Sequence, residues 1–291
     1  MAQFMISAFA DEASDCLAGQ IAALKRNGLC LIEPRSMNGN MVEKTDEELA
    51  EISKQLKDAG ISISALGSPI GKYSIDEPFE EHLKTFDRAL AACKILGAKR
   101  MRIFSFFVPR DRLAECRDEV LRRMRVLLER AKEAGITLCH ENEAKIYGQN
   151  VGEVADLLTA LPEIRGVFDA ANFIMDAQDP IKGFEVTAPS LEYMHVKDAK
   201  IDKTIVPVGM GDGKYDEVLK RLDAMTDRTV ILTVEPHLKK FTGYASIDDR
   251  EMKHDLHFEN SDDSFDYAIN SLKNLLTSLG FHEEENHIWK K

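Results

Sequence analysis

The sequence has no Cys-x-x-Cys pair. Its five cysteines, Cys16, Cys30, Cys93, Cys116 and Cys139, are odd in number and scattered through 291 residues. That spacing argues against a disulfide framework and a zinc ribbon, and predicts a reducing, cytoplasmic compartment. No run of about 18 apolar residues occurs, so no membrane-spanning helix is expected. The first residues, MAQFMISAFADEAS, put no basic region ahead of their apolar run and carry no clear cleavage site. They read as a first strand and not as a signal peptide. Positive charge is short: 38 Lys and Arg face 50 Asp and Glu, a net charge of −12. A phosphate-backbone partner calls for a basic face, so the balance speaks against nucleic acid. Glycine is absent from SAFADEAS, the turn after the first strand, where an open dinucleotide-binding sheet would need it.

What is present alternates. Short β-rich runs are followed by amphipathic helical runs throughout the chain. The expected strands are 4–9, 30–33, 62–66, 100–106, 136–141, 166–169, 193–197 and 230–235. Thr45 and Glu48 form a capping box ahead of one helix, and four helices end near a basic residue followed by Gly28, Gly60, Gly97 or Gly135. Strands that are each followed by a helix indicate an α/β fold, a single (β/α)8 TIM barrel over residues 1–291. No linker, low-complexity segment or domain boundary interrupts it. A long polar stretch, 238–265, follows the last strand and reads as a surface excursion, a subunit contact in a homo-oligomer, or a lid.

Chemistry in such barrels sits at the C-terminal ends of the strands. In chain order those ends offer Asp11 and Glu12; Glu33 and Arg35; Ser68 and Lys72; Arg102 and Ser105; His140, Glu141, Asn142 and Glu143; Asp169 and Asn172; His195, Lys197 and Asp198; and Glu235 and His237. The last four strands each end in a metal-capable group: Glu141, Asp169, His195 and Glu235. Neighbouring strands lie about 5 Å apart, so these groups converge on one cation. Taken singly, each acid would read as a helix cap or an ion-pair partner; four in successive strands read as a ligand set. Three carboxylates and one imidazole suit a six-coordinate divalent ion such as Mn²⁺, Mg²⁺ or Co²⁺ better than a closed tetrahedral zinc site. His140 precedes Glu141, and strand alternation turns it to the opposite face.

HENEAKIYG (140–148), GVFDAANF (166–173), YMHVKDA (193–199), VPVGMGDGKYDEVLKRL (206–222) and LTVEPHL (232–238) resemble the xylose isomerase-like TIM barrels. These are the sugar phosphate isomerase/epimerase superfamily, which also holds endonuclease IV. FADE, IEPR and MRIFSFF in the first half resemble it too, so the resemblance covers nearly the whole chain. It implies a metal held by Glu141, Asp169, His195 and Glu235, with Mn²⁺ the expected ion and Mg²⁺, Co²⁺ or Zn²⁺ the alternatives. It also implies that Glu141 and Glu235 act as an acid/base pair on a small sugar or sugar phosphate. The expected reaction is isomerisation or epimerisation through an enediolate, in carbohydrate metabolism. Loss of a β-hydroxyl from the same intermediate, as in the related inosose and dehydroshikimate dehydratases, is the alternative. A barrel that only binds a sugar, and a DNA-repair endonuclease, stand behind these.

The chain departs from the family at several places. Asn172 stands where several members carry a histidine, and Ser68 and Ser105 stand where endonuclease IV needs histidines for further zinc ions. The second metal site and the catalytic lysine of the xylose isomerases proper have no clear counterpart. Tyr147 and Ile201 occupy positions expected to grip substrate through polar groups. The expected substrate contacts are instead Lys197, Arg102, Asn172 and Glu12. Lys197 reads equally as a charge for an enolate or as an ion-pair partner, and Arg102 either meets substrate or pairs with Glu33. Asn142 reads as a support for a ligand. VGMGDGKYD reads as a tight turn more simply than as a phosphate cradle, and Trp289 as a packing or interface residue.

Overall fold

The computed structural model describes residues 1–241 and 253–291. Its centre is a parallel sheet of short strands: β1 (Gln3–Ala8), β2 (Leu31–Ile32), β3 (Ser62–Ile63), β4 (Leu66–Gly67), β5 (Arg100–Ile103), β6 (Thr137–Glu141), β7 (Arg165–Asp169), β8 (Leu191–Val196) and, after two strands of the β8–α8 loop described below, β11 (Thr229–Val234). Around it lie α1 (Leu17–Arg26), α2 (Asp46–Asp58), α3 (Phe79–Leu96), α4 (Leu113–Ala134), α5 (Val151–Ala160), α6 (Ala170–Met175), α7 (Pro180–Thr187), α8 (Tyr215–Met225) and α9 (Ser261–Ser278). Apolar residues from Ala2 to Trp289 pack between sheet and helices as one cluster. The capping box at Thr45 and Glu48 is formed. The four expected helix stops fall where the glycines take left-handed φ.

The ladder runs β1-β11-β8-β7-β6-β5-β4 and is not a continuous ring. The remaining side is occupied by the β2–β3 pair. Single backbone bonds join it to its neighbours, from Glu33 N to Ala8 O and from Gly67 N to Pro34 O. The lower edge of β1 is taken by a C-terminal hairpin of β13 (His282–Glu283) and β14 (Ile288–Lys290), in which Trp289 lies opposite Phe4. Trp289 is therefore a packing residue, buried against β1. The antiparallel β14 leaves only the upper end of β1 to meet β2.

Two expected strands differ from the sequence reading. Residues 62–66 split, because Ser62–Ile63 pairs with β2 while Leu66–Gly67 pairs with β5. The fourth strand stops at Ile103, short of residue 106, because the next N–H groups turn to a loop: Phe104 N bonds Ile70 O and Phe106 N bonds Gly71 O. Of the 238–265 stretch, residues 242–252 lie outside the described residues. Lys253–His254 (β12) pairs with β10 (Thr204–Val206), which pairs in turn with β9 (Asp198–Ala199).

Alternation assigns the faces. Ala65, Cys139, Val167 and Tyr193, with Ile231 against them, fill the inside of the barrel as a separate apolar layer. Two residues further along three of these strands the inward positions are Glu141, Asp169 and His195, and on β11 Thr233 and then Glu235 follow Ile231. The plug beneath is apolar, and the mouth above it is charged.

The loop that ends β5 has one tight point. A Cβ at Gly71 would stand 2.1 Å from Phe104 O, at a φ of +87°. Gly71→Ala should therefore cost about 2 kcal/mol or more. The expected result is a lower urea midpoint with an unchanged m-value; an unchanged midpoint would refute the assignment.

Candidate active site

In the sheet ladder, Glu141 lies opposite Val167, Asp169 opposite His195, and His195 opposite Thr233. This register brings Glu141, Asp169, His195 and Glu235 together at the C-terminal mouth. One ligand atom from each lies within 4.8 Å of the others. All four side chains are at most 3% exposed. Glu141 and Glu235 stand at the two ends of the arc, with β7 and β8 between them.

Buried carboxylates need compensating charge, and three cations supply it. Arg102 Nη1 donates to Glu141 Oε2 at 2.8 Å, leaving Oε1 to face His195 Nδ1 at 3.0 Å. Arg35 Nη1 donates to Glu235 Oε1 at 2.8 Å. The other oxygen, Oε2, meets Lys197 Nζ at 3.0 Å, and the same ammonium is 3.0 Å from Asp169 Oδ2. Each glutamate thus has an outer oxygen clamped by arginine and an inner oxygen turned to the centre. Lys197 is the cation held by the inner oxygen of Glu235 and by Asp169, while the inner oxygen of Glu141 faces His195.

The titration behaviour follows. Burial pushes Glu141 up, but His195 and Arg102 outweigh it and hold its pKa at about 2. Burial likewise pushes Glu235 up, and Lys197, His237 and Arg35 hold it well below the usual carboxylate range. Burial raises Asp169 to about 7, with Lys197 opposing and Glu141 and Glu235 reinforcing the shift. For His195 burial favours the neutral ring, yet Glu141 and Glu33 lift it to about 10.

The donor set suits a divalent cation. It is three carboxylates and one imidazole, dry and convergent. Asp169 Oδ2 and His195 Nδ1 have no hydrogen bond among the described residues, although Lys197 and Glu141 stand beside them. His195 also has the support a metal-binding imidazole needs. Its Nε2 lies 3.2 Å from Glu33 Oε1, and Tyr193 Oη donates to that same oxygen at 2.8 Å. A carboxylate at Nε2 leaves Nδ1 as the coordinating nitrogen.

The other residues singled out in the sequence fall into place around this centre. Asn142 ties β6 to β7 by accepting from Asp169 N at 3.2 Å and donating to Asp169 O at 3.1 Å. Asn172 Nδ2 donates to Asn142 O at 2.8 Å and approaches Glu141 Oε1 at 3.4 Å. Glu12 sits on the far side of Glu235. It accepts from His237 N at 2.6 Å, and burial, opposed by Arg35 and reinforced by Glu235 and Asp11, raises it to about 8. Glu12, Glu235 and His237 form a second convergent group, but Arg35 is already ion-paired to both glutamates there. His140 points away from the centre, with Nε2 2.8 Å from Ser105 Oγ. Glu143 pairs with Lys72.

One expectation is corrected. Arg102 pairs with Glu141 and not with Glu33, whose partners are Tyr193 and His195. Tyr147 is buried with its hydroxyl on Asp156, and Ile201 is exposed to solvent, so neither is in the cluster. The role of Arg35 went unassigned in the sequence reading, and that of Glu33 as the support of His195 was missed. Their signal was their place at the end of the second strand, but Glu33 meets Tyr193 and His195, 160 and 162 residues away, and Arg35 joins Asp11 to Glu235, 200 residues away. The glycine-rich stretch is not a phosphate cradle. The N–H groups of Gly209, Gly211 and Gly213 all donate to the carboxylate of Asp198, at 2.9, 3.1 and 2.9 Å. The folded loop sets Tyr215, at the start of α8, with its hydroxyl 2.9 Å from Lys197 O and 3.1 Å from His195 O.

A family model described as xylose isomerase-like TIM barrel matches residues 21–260. No curated protein sequence matches the chain. Among solved structures, D-psicose 3-epimerase crystallised in the presence of D-fructose is 19% identical, with a TM-score of 0.71 over 95% of this chain and 99% of that one. The IolI protein, with a bound zinc atom, is 14% identical, with a TM-score of 0.73 over 94% and 99%. The probable 3-DHS dehydratase AsbF of Bacillus anthracis is 15% identical, with a TM-score of 0.71 over 93% and 99%. At these identities the likeness establishes the fold. Among the described residues no helix is long and apolar enough to cross a membrane.

Replacing Asp198 by alanine would strip the acceptor from three glycine N–H groups and from Ala199 N. Water reaches part of the loop, so the cost should be about 2 to 4 kcal/mol and not the sum of four lost bonds. Chemical denaturation of Asp198→Ala measures it, and a loss below about 0.5 kcal/mol would contradict the role.

Proposed function

Because the chain belongs to the xylose isomerase-like TIM-barrel family, we propose that it is a metal-dependent sugar isomerase or epimerase with Glu141 and Glu235 as its acid/base pair. The observation that carries this reading is the buried convergence of Glu141, Asp169, His195 and Glu235. These four residues would hold the ion, Mn²⁺ in this proposal. When bound, a divalent ion lends Lewis acidity that makes the proton α to a ketose carbonyl easier to remove.

The protein's own groups do the rest. Glu235 starts as a carboxylate, since Lys197, His237 and Arg35 oppose the effect of burial. It is suited to take the α-proton. Glu141 stands at the opposite end of the arc. Glu141 is also ionised at rest, so it must first take a proton from solvent. Given to the other face of the same carbon, that proton yields an epimer, and the proton taken by Glu235 is released to solvent; a proton returned by Glu235 to the neighbouring carbon yields an isomer. Lys197, 3.0 Å from Glu235 Oε2, keeps the base ionised before it takes the proton. The apolar layer of Cys139, Val167 and Tyr193 closes the floor and excludes water from below.

A second reading, loss of water from a keto-polyol, draws on the same lysine. An ammonium beside the acid/base pair is a proton donor for a departing hydroxyl. All five cysteines are free, which supports a reducing compartment.

Glu235→Gln should lower turnover of a responsive ketose by about 1,000-fold or more, because it removes a base and a ligand together. Turnover within threefold of the parent would reject Glu235. Proton NMR in D₂O separates the two readings: α-proton exchange without loss of water supports isomerase or epimerase, and a new enone signal supports the dehydratase. Protons on Asp169 and His195 compete with the metal, and raising the pH weakens that competition. Apparent Mn²⁺ affinity should therefore climb about a hundredfold per unit near pH 6, falling to about tenfold per unit by pH 8 once Asp169 has lost its proton, as calorimetry would show; a flat profile would count against these ligands.

A further inference from the structure

The barrel has a second charged end. At the foot of the sheet, opposite the acid cluster, three arginines surround one carboxylate. Arg100 opens β5, Arg165 opens β7, and Arg228 stands just ahead of β11. Arg100 Nε donates to Glu192 Oε1 at 2.7 Å, and Arg165 Nε donates to Glu192 Oε2 at 3.3 Å. Among the described residues Arg228 donates only to backbone, to the carbonyl oxygens of Glu192 and Leu191. Arg165 Nη2 meets that same Leu191 oxygen at 3.2 Å, so two of the guanidinium groups share one acceptor. Three positive charges against one negative charge leave two uncompensated. Burial pushes the Arg228 pKa down; Glu192 opposes this, and Arg165 and Arg100 add to it. The three cations repel one another.

Their remaining donors are within reach of a ligand. A guanidinium has five N–H groups. Among the described residues Arg100 uses only Nε, which leaves both of its Nη nitrogens; Arg165 leaves Nη1, and Arg228 leaves Nε. None of these spare nitrogens is buried, and the side chains of Arg100 and Arg165 are 34% and 35% exposed. Arg165 also lines a groove of about 660 Å³ beside the C-terminal ends of α4 and α5. Thr137, in the same groove, lies opposite Arg100 in the ladder, so the groove opens onto the arginines. Leu128 and Leu161 give it an apolar wall. Three exposed acids are near, Glu129 and Glu163 in the groove and Asp227 beside Arg228 in the chain, and none of them is hydrogen-bonded to these arginines.

We propose that the foot of the barrel is a binding site for a phosphate dianion, held by Arg100, Arg165 and Arg228 and separate from the active site. Two uncompensated positive charges match a dianion, and guanidinium forks suit the oxygens of a phosphate. Glu192 takes the Nε of two arginines and so fixes the direction of their outer nitrogens. The dianion is either free phosphate or a phosphate monoester, and the groove beside Arg165 has room for the organic part of an ester. Each arginine starts a strand that leads to the active site: β5 carries Arg102, β7 ends on Asp169, and Glu235 follows β11. The ligand thus ties together the starts of strands whose other ends hold the acid cluster. The site stands whether or not that cluster binds a metal.

The test titrates the full-length protein, without added metal, with inorganic phosphate, phenyl phosphate and phenol. Calorimetry is run at about pH 8, where both phosphates are dianions, and at an ionic strength of about 0.1 M. At least one phosphate should bind one site per chain with a Kd of about 1 mM or below. Phenyl phosphate binding about tenfold tighter than inorganic phosphate identifies a monoester, and equal or weaker binding identifies the free ion. Arg100→Gln and Arg228→Gln should each weaken phosphate binding about tenfold or more, because each removes a charged donor. Should Arg228→Gln fail to fold, Arg100→Gln carries the test, since Arg165 still holds Glu192 and the replaced side chain is part-exposed. Affinity in Arg100→Gln within about twofold of the parent would place the phosphate elsewhere and overturn the site. So would the absence of binding by both phosphates, or phenol binding as tightly as phenyl phosphate.

Discussion

Three carboxylates buried at one barrel mouth set the terms for everything around them. Glu141, Asp169 and Glu235 are close enough that none could stay ionised without compensation. Arg102 and Arg35 hold the outer oxygens of the two glutamates, Lys197 holds the inner oxygen of Glu235 together with Asp169, and His195 bridges Glu141 and Glu33. Each cation is in turn held in place. Arg35 and Arg102 lie against Phe9 and Phe104. Lys197 follows a strand whose backbone meets the Tyr215 hydroxyl, and Tyr215 follows the glycine loop that Asp198 gathers. The second-strand residues, the β8–α8 loop and the aromatic rings thus share one electrostatic task.

The protonation pattern leaves both glutamates ionised at rest. Opposing influences spread four neighbouring groups over a wide range: Glu141 and Glu235 low, Asp169 near neutrality and His195 high. Burial acts on all four, and the identity of the nearest charge decides the direction. A divalent ion at the centre would take over the compensation that Lys197 provides among the inner oxygens. The lysine would then be free to serve substrate, which connects the resting arrangement with the proposed reaction.

Much of the site was legible because strand geometry is local. Cys139-His140-Glu141, Val167-Phe168-Asp169 and Tyr193-Met194-His195 repeat one pattern: an inward apolar residue, an outward residue, then an inward polar one. Period two is enough to separate Glu141 from its neighbour His140, which faces Ser105. The helix stops were legible for the same reason, since a C-terminal cap depends on a few consecutive residues. What escaped was non-local. The early end of the fourth strand follows from Ile70 and Gly71 capturing the next N–H groups. The split of the third strand follows from its having different neighbours at its two ends. The partners of Glu33, and Glu235 as a partner of Arg35, come from the far half of the chain, and no spacing announces them.

The sequence by itself determined the α/β alternation, the inward face of each strand and the four ends where acids and a histidine follow apolar runs. These depend on periodicity and on caps that extend over a few residues. Only the tertiary structure decided which charges meet: that Arg102 serves Glu141, that Glu33 orients His195, that Asp198 fills the glycine loop, and that a cavity opens beside Arg102. Ion pairs between distant strands depend on register and on the closure of the sheet. A carboxylate at a strand end looks the same in the sequence whether it meets an arginine, a backbone amide or a metal.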